Sequence, residues 1–228
     1  MFSFVFPMDS NRLEQFKVTK QLYDEMPQVK EFIIPTRSLN VVEKYLQDHK
    51  LDKDVGLVPY EVHRGFNPSM AFNIGVRNSK YDNIIITSPE VKPITDVLEQ
   101  LSECLDKNVI CAVDDQDVDG NLTVMVSPSY RGENPGMYFL AMFRKEDIMT
   151  INGWDEKFMR GYAYEDNDFG ERWVRAGLPF EIREDIKGLH QYHPREETIR
   201  GGLATNMQTY HDNTDAGVTY CKNGINKL

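Results

Sequence analysis

The sequence predicts an α/β fold, an open and mostly parallel sheet flanked by helices and built as one domain. Three observations predict it. Short apolar runs alternate with amphipathic stretches through the first half of the chain, the β-α-β-α order of parallel strands joined by helical crossovers. One run, Asn83 to Thr87 (NIIIT), is apolar at consecutive positions, as in a strand covered on both faces. With 228 residues, 40% of them hydrophobic, the chain is long enough to bury the core such a fold needs.

The elements follow in order. Ser3 to Pro7 reads as a first strand. Leu13, Phe16, Leu22, Tyr23 and Met26 recur at roughly helical spacing across Arg12 to Met26. Glu31 to Pro35 (EFIIP) is a second strand, followed by a helix carrying Leu39, Val42, Tyr45 and Leu46 on one face. Val55 to Tyr60 is a third strand, and Pro68 near a helix start predicts a helix over Pro68 to Asn78. After NIIIT, the loop Ser88-Pro89-Glu90 falls at the strand-end crevice where ligands of open α/β sheets bind. A helix over Pro93 to Asp106 is expected from Ile94, Val97, Leu98, Leu101 and Leu105. Val109 to Val113, Leu122 to Val126 and Met137 to Arg144 are further strands. The acidic stretch Asp114 to Gly120 lacks the ligand spacing and final glutamate of a calcium loop and reads as a solvated hairpin turn. The polar tail after Pro194, with Gly201-Gly202, reads as a lid or a loop.

Composition narrows the function classes. A net charge of -10 disfavours non-specific binding to nucleic acid or anionic membrane. No run is long enough to span a bilayer, and MFSFVFPMD lacks a basic start, so no membrane insertion is expected. Cys104, Cys111 and Cys221 form no CxxC pair, which fits reduced thiols in a soluble, cytoplasmic protein. There is no GxxxxGK[ST] loop, GxGxxG fingerprint or GxSxG elbow.

Two constellations carry chemistry. Phe169, Trp173 and Ala176 mark a buried helical stripe ending at Gly177, so Glu165, Asp166 and Asp168 crowd its first turn. Acidic residues there complement the helix dipole, and one of them aimed into the crevice would serve as a general base. His190 and His193, three apart after an apparent strand, each offer an imidazole nitrogen to a metal. With a carboxylate they would suit manganese or a similar divalent ion.

The run Asn134 to Arg144 (NPGMYFLAMFR), then Ile151 to Glu156 (INGWDE), then Gly161 to Asp168 (GYAYEDND), resembles the C-terminal module of β-1,4-galactosyltransferases and related family-2 and chondroitin-polymerase-type enzymes. Phe6 to Arg12 is similar to their uridine-cradling "IPxRxR" segment, and Gly65 to Arg77 to their "FNRAxxxNxG" helix. Ser88-Pro89-Glu90 falls where they carry the DxD metal motif. The resemblance covers about residues 2–195 and implies a Rossmann-like, single GT-A glycosyltransferase domain. Residues 1–107 would form the nucleotide-binding half, 108–195 the acceptor and catalytic half, and 196–228 a tail or lid.

By that resemblance Asp166 matches the catalytic base, with Glu165 beside it on the acceptor or substrate. Tyr162 takes the place of the loop tryptophan. Pro7, Asp9 and Arg12 would lie near the nucleotide base, joined by Arg64 and Asn73. Glu90 matches the last acid of DxD, and His190 or His193 the metal-binding histidine. The implied metal is Mn2+, with Mg2+ the second candidate. The implied reaction is inverting transfer from a nucleotide sugar, a UDP sugar first, to an acceptor hydroxyl on a glycan, a protein or a modified nucleobase. Ser88 stands where the first DxD aspartate would be. That departure motivates the alternative of an inactive relative that binds nucleotide sugar through a degenerate metal motif.

Overall fold

A computed structural model of the chain describes residues 1–61, 66–126, 139–158, 163–194 and 202–226. The first half builds a parallel unit. Strands β1 (Phe2–Val5), β2 (Lys30–Thr36), β3 (Val55–Pro59) and β4 (Asn83–Thr87) lie in the order β3-β2-β1-β4. They are joined through α1 (Leu13–Glu25), α2 (Leu39–Asp48) and α3 (Pro68–Asn78). Strand order reverses at β1, so a crevice opens between the C-terminal ends of β1 and β4.

The second half adds antiparallel pairings to that frame. Beyond β4 the order continues β8 (Leu140–Arg144), β6 (Val109–Gln116), β9 (Glu181–His190) and β5 (Val91–Pro93), with β7 (Leu122–Val126) hairpinned onto β6. β8 is antiparallel to β4 and to β6, whereas β6 and β9 are parallel. Hence β4, β6 and β9 all end on the crevice edge.

Side-chain alternation sorts the sheet's two faces. Phe2, Phe4 and Phe6 enter one core with Phe32, Ile34 and Ile85, covered by Phe16 and Tyr23 of α1 and Leu98 of α4 (Val97–Ser102). Val5, Ile84 and Ile86 enter the other with Phe72 and Val76 of α3 and Ile148 of α5 (Lys145–Thr150). Phe169 and Trp173 of α6 (Glu165–Arg175) pack there too. Each fully buried ring contributes about 1.5–3 kcal/mol. Trp154 stacks on Phe169 with ring centres 4.1 Å apart and tilts against Phe72, so it joins α3 to α6.

Three helices differ from expectation, each for a physical reason. The helix expected from Pro93 is confined to Val97–Ser102, because Val91–Pro93 pairs with β9 as an edge strand, where a proline is tolerated. α5 has a single buried residue, Ile148, and so leaves no periodic signature. The tail holds a thirteen-residue helix, α7 (Leu203–Asp215), where a lid or loop is expected. Its buried positions are Asn206 and Asn213, so it docks through polar side chains that hydrophobic periodicity does not register. Asn213 donates to Asp168 at 2.7 Å, and Asn206 to the Ala163 carbonyl at 3.2 Å.

Close approach of α3 to β1 depends on Gly75. A Cβ there would collide with Val5 Cγ1 and sit 3.1 Å from Val5 Cβ, so turning the valine does not relieve the contact. Overpacking of this kind costs about 1–3 kcal/mol, against a helix-propensity gain for alanine of about 1 kcal/mol. Gly75→Ala should therefore lower stability by up to about 2 kcal/mol in urea unfolding with m unchanged; a higher midpoint would show that the two elements can separate freely.

Candidate active site

The crevice is built from strand ends. Gln191, directly after β9, ties it together. Its backbone N–H donates to the Glu90 carbonyl at 2.9 Å, and its side-chain amide reaches the same carbonyl at 3.1 Å and Thr19 Oγ1 at 3.0 Å. Thr19 in turn donates to the Pro89 carbonyl at 2.9 Å. Both carbonyls of the Pro89-Glu90 step are thus held against α1 and the end of β9.

That anchoring brings Glu90, His190 and His193 together. Glu90 Oε1 lies 3.6 Å from Nε2 of each histidine, and one ligand atom from each residue lies within 4.8 Å of the others. Burial raises the Glu90 carboxyl, but the facing imidazoles of His190 and His193, with the charges of His190 and Arg12, outweigh it and lower it to about 2. Glu90 Oε2 and Ser88 Oγ are buried without a partner among the described residues. Arg12, expected beside the nucleotide base, has its Nε 3.9 Å from Glu90 Oε1.

On the other bank, Pro7 is buried between the Phe6 and Met8 amides, which donate to Ile33 and Pro35 across to the β2 chain. Asp9 accepts from the Arg37 backbone at 3.2 Å and from Arg37 Nε at 2.8 Å. Arg37 lies over the Phe66 ring at 5.7 Å. Tyr60 Oη is buried nearby, its phenol raised by burial and then by the Asp9 charge. Arg37 and Tyr60 directly follow β2 and β3, and Phe66 packs against the Tyr60 cluster from the segment before α3, a tertiary grouping that sequence spacing does not show.

Asn73 does not face the crevice. Fully buried, it donates to the Trp154 carbonyl at 2.8 Å and accepts from the Trp154 N–H at 2.9 Å, locking α3 to the turn after α5. Expected near the donor, it holds the scaffold instead. Arg64 and Tyr162 lie outside the described residues.

α6 presents the acidic trio with a division of labour. Asp168 pairs with fully buried Arg172 at 2.7 Å and accepts from Asn213, so its charge is committed to packing. Glu165 and Asp166 sit ahead of it on the first turn, only 4% and 6% exposed, which keeps them shielded but not sealed. Ala163 and Tyr164 enter the helix with φ of 66° and 74°. Only the short segment 176–180 links α6 to the start of β9. The first turn of α6 and His190 therefore lie at the ends of their elements away from that link. Burial pushes the Glu165 carboxyl well above the usual carboxylate range, and the Asp166 charge pushes it the same way.

The acidic stretch after Val113 divides as well. Asp117 closes the turn by accepting from the Asp119 and Asn121 amides, as a solvated turn would. Asp114 and Asp115 instead belong to β6. Asp115 Oδ1 lies 2.9 Å from His190 Nδ1, a contact that sequence spacing did not suggest.

Residues 127–196 match the family profile described as the N-terminal domain of galactosyltransferase, a segment that carries Glu165, Asp166, His190 and His193. The chain is 32% identical over 85 residues to an uncharacterised glycosyltransferase, YfnE of Bacillus subtilis (strain 168); the match covers 36% of this chain and 21% of that protein. Among solved structures it resembles the mannosyltransferase PcManGT of Pyrobaculum calidifontis in complex with GDP-Man and Mn2+. There the TM-score is 0.62 at 15% identity, over 90% of this chain and 59% of that one. It also resembles S. aureus TarS 1-349 in complex with UDP-GlcNAc, with a TM-score of 0.68 at 11% identity, over 88% of this chain and 61% of that one. The chain thus spans about a fifth of the curated relative and about three fifths of these structures. Its fold is that of these GT-A glycosyltransferase structures. Among the described residues no helix is long and apolar enough to cross a membrane.

The raised Glu165 carboxyl has a consequence for stability. Its contribution is complete below the unfolded carboxyl value of about 4.3 and is lost as pH climbs toward the raised folded value. Glu165→Gln removes that loss. Its Tm relative to wild type should rise steadily from about pH 4 to about pH 8 in scanning calorimetry, and a flat or falling difference would mean that Glu165 ionises without cost.

Proposed function

We propose that the chain transfers a sugar from a nucleotide-sugar donor to an acceptor hydroxyl with inversion, using Asp166 as general base and a divalent cation held by Glu90, His190 and His193. The observation that carries the reading is the convergence of those three ligand atoms at the end of β9, the strand that follows the helix bearing Glu165 and Asp166. The GT-A fold supports a nucleotide-sugar donor, and the neighbour bound to GDP-Man and Mn2+ supports the cation. A UDP sugar is the first donor to test, given the likeness to the complex with UDP-GlcNAc.

The residues fit a cation by their chemistry. One carboxylate and two imidazoles form a mixed oxygen-nitrogen set that suits manganese better than the all-oxygen shell magnesium prefers. The buried, unpartnered Glu90 Oε2 supplies a further acceptor that a cation would satisfy. When bound, the ion would neutralise charge on the diphosphate leaving group.

The chain's own groups do the rest. Pro7 and Asp9 line the β1 end where the nucleotide base would lie, with Arg37 and Phe66 beside them. Arg12 brings a positive charge to the diphosphate side of Glu90. Arg64 and Tyr162 are further candidates for donor contacts. Asp166 takes the acceptor hydroxyl proton as that oxygen attacks the anomeric carbon and the bond to diphosphate breaks. Glu165, kept protonated by burial and by Asp166, offers the acceptor a hydrogen-bond donor beside the base. The acceptor class is a glycan, a protein or a modified nucleobase.

The test is nucleoside diphosphate release from a panel of UDP and GDP sugars with Mn2+, followed with the favoured donor and an acceptor library. Asp166→Asn should cut transfer by about 10²–10⁴-fold while donor affinity, read by calorimetry, stays within a few-fold. Unchanged transfer would remove Asp166 from the mechanism, and no release from any donor would favour a binding protein over an enzyme.

A further inference from the structure

β6 and β9 run parallel in a register that sets Asp115 opposite His190. The consequence is a direct contact, Asp115 Oδ1 to His190 Nδ1 at 2.9 Å, on the side of the imidazole away from Glu90. The other ring nitrogen, Nε2, is the one that faces Glu90 at 3.6 Å. A carboxylate accepting a hydrogen bond fixes the proton of a neutral imidazole on the nitrogen it touches. The second nitrogen is then left with its lone pair free, which is the form a metal requires.

The charge balance points the same way. Glu90 contributes the one formal negative charge among the three ligand residues, and Arg12 lies 3.9 Å from it. Ser88, which stands where the related motif has an aspartate, adds none. The three ligands with Arg12 are therefore close to neutral, a poor setting for a dication. Asp115 adds a negative charge one imidazole away.

We propose that Asp115 is a positioning residue for the cation site. It holds His190 as the Nδ1–H tautomer with Nε2 aimed at the ion, and it supplies from behind the histidine the negative charge that Ser88 does not. The contact joins residues 75 apart in the chain. This rests on the reading of Glu90, His190 and His193 as cation ligands, and two readouts keep the ideas separable.

The first readout needs no metal. In metal-free protein labelled with 15N-histidine at about pH 8, where an ordinary histidine is neutral, long-range 1H–15N spectra should show His190 carrying its proton on Nδ1. Asp115→Ala should abolish that preference, while Asp115→Asn, whose amide oxygen still accepts, should retain it. The second readout is calorimetric titration with Mn2+ alone, without nucleotide. Asp115→Ala should weaken binding by about 10–100-fold, and Asp115→Asn should fall between it and wild type because orientation survives and charge does not. The proposal is overturned if wild-type His190 is protonated on Nε2, or if Asp115→Ala leaves both tautomer and Mn2+ affinity unchanged. Wild-type protein that binds no Mn2+ would overturn the proposal's metal role together with the reading of the site above. In that outcome the metal-free spectra still report whether Asp115 orients His190, so the two failures are told apart.

Discussion

Everything at the crevice depends on where β9 is inserted. It lies between β6 and β5, so His190 has Asp115 across from it on one side and Val91, the neighbour of Glu90, on the other. Backbone pairing alone thus brings three acidic or basic side chains from distant parts of the chain to one point. A shift of one residue would turn His190 to the opposite face. The register is held in turn by Gln191, whose backbone and side chain both grip the Glu90 carbonyl, and by Thr19 from α1. The proposed cation site is in this sense a by-product of backbone pairing at the end of β9.

The acidic turn of α6, the proposed base side, is held by different physics. Two successive non-glycine residues, Ala163 and Tyr164, lead into α6 in the left-handed region, a conformation costing about 1–2 kcal/mol per residue. Such strain persists only where the surroundings over-determine it. Here Phe143, Trp154, Phe169 and Trp173 pack face to edge and face to face beneath the helix. Arg172, buried completely, is neutralised by Asp168 and also donates to the Ile151 carbonyl at 2.9 Å. Removing one partner of a buried pair is far costlier than the pair's net contribution. The arrangement therefore resists rotation of the helix and fixes the position of Glu165 and Asp166 on its first turn.

The legibility of these features follows their physical origin. β4 and α3 carry local signals, a continuous apolar run and a proline at a helix start behind Asn67, and their bounds match the expected ones. The α6 trio was legible because helix ends attract acids, and its residues occupy the first turn as expected. Glu90, His190 and His193 were legible only as two separate fragments joined by a resemblance; their meeting is a tertiary fact. Asp115 and the Arg37-Tyr60-Phe66 group were not legible, since cross-strand register and tertiary grouping leave no trace in spacing. Asn73 shows the converse problem. A polar residue in a helix beside the expected nucleotide site reads as a ligand contact, yet its amide is the only group positioned to satisfy both the N–H and the carbonyl of Trp154 among the described residues. α7 was missed because its buried face is made of asparagines.

Those asparagines also explain how α6 is tied to the rest of the fold. Asn213 donates to Asp168 and reaches Asp155 at 3.3 Å, so α7 bridges the α6 turn and the Asn152–Asp155 loop. That loop is itself fixed by Asn152, whose amide reaches the Cys221 carbonyl at 2.6 Å and whose carbonyl accepts from Ile225 at 2.9 Å. Asn73 carries the chain of contacts on to α3, and Gly75 brings α3 hard against Val5 of β1. The segment after β1 carries Arg12, whose Nε lies 3.9 Å from Glu90 Oε1. A chain of contacts, hydrogen-bonded from α6 through α7 to α3 and apolar between α3 and β1, therefore links the acidic turn of α6 to the parallel half of the sheet. Apolar packing on its own tolerates small slides between elements. Buried hydrogen bonds do not, because each one lost leaves an unsatisfied group costing about 1–3 kcal/mol. That intolerance is what a reaction between a held donor and a deprotonated acceptor needs, since reacting atoms must meet at about 3–3.5 Å.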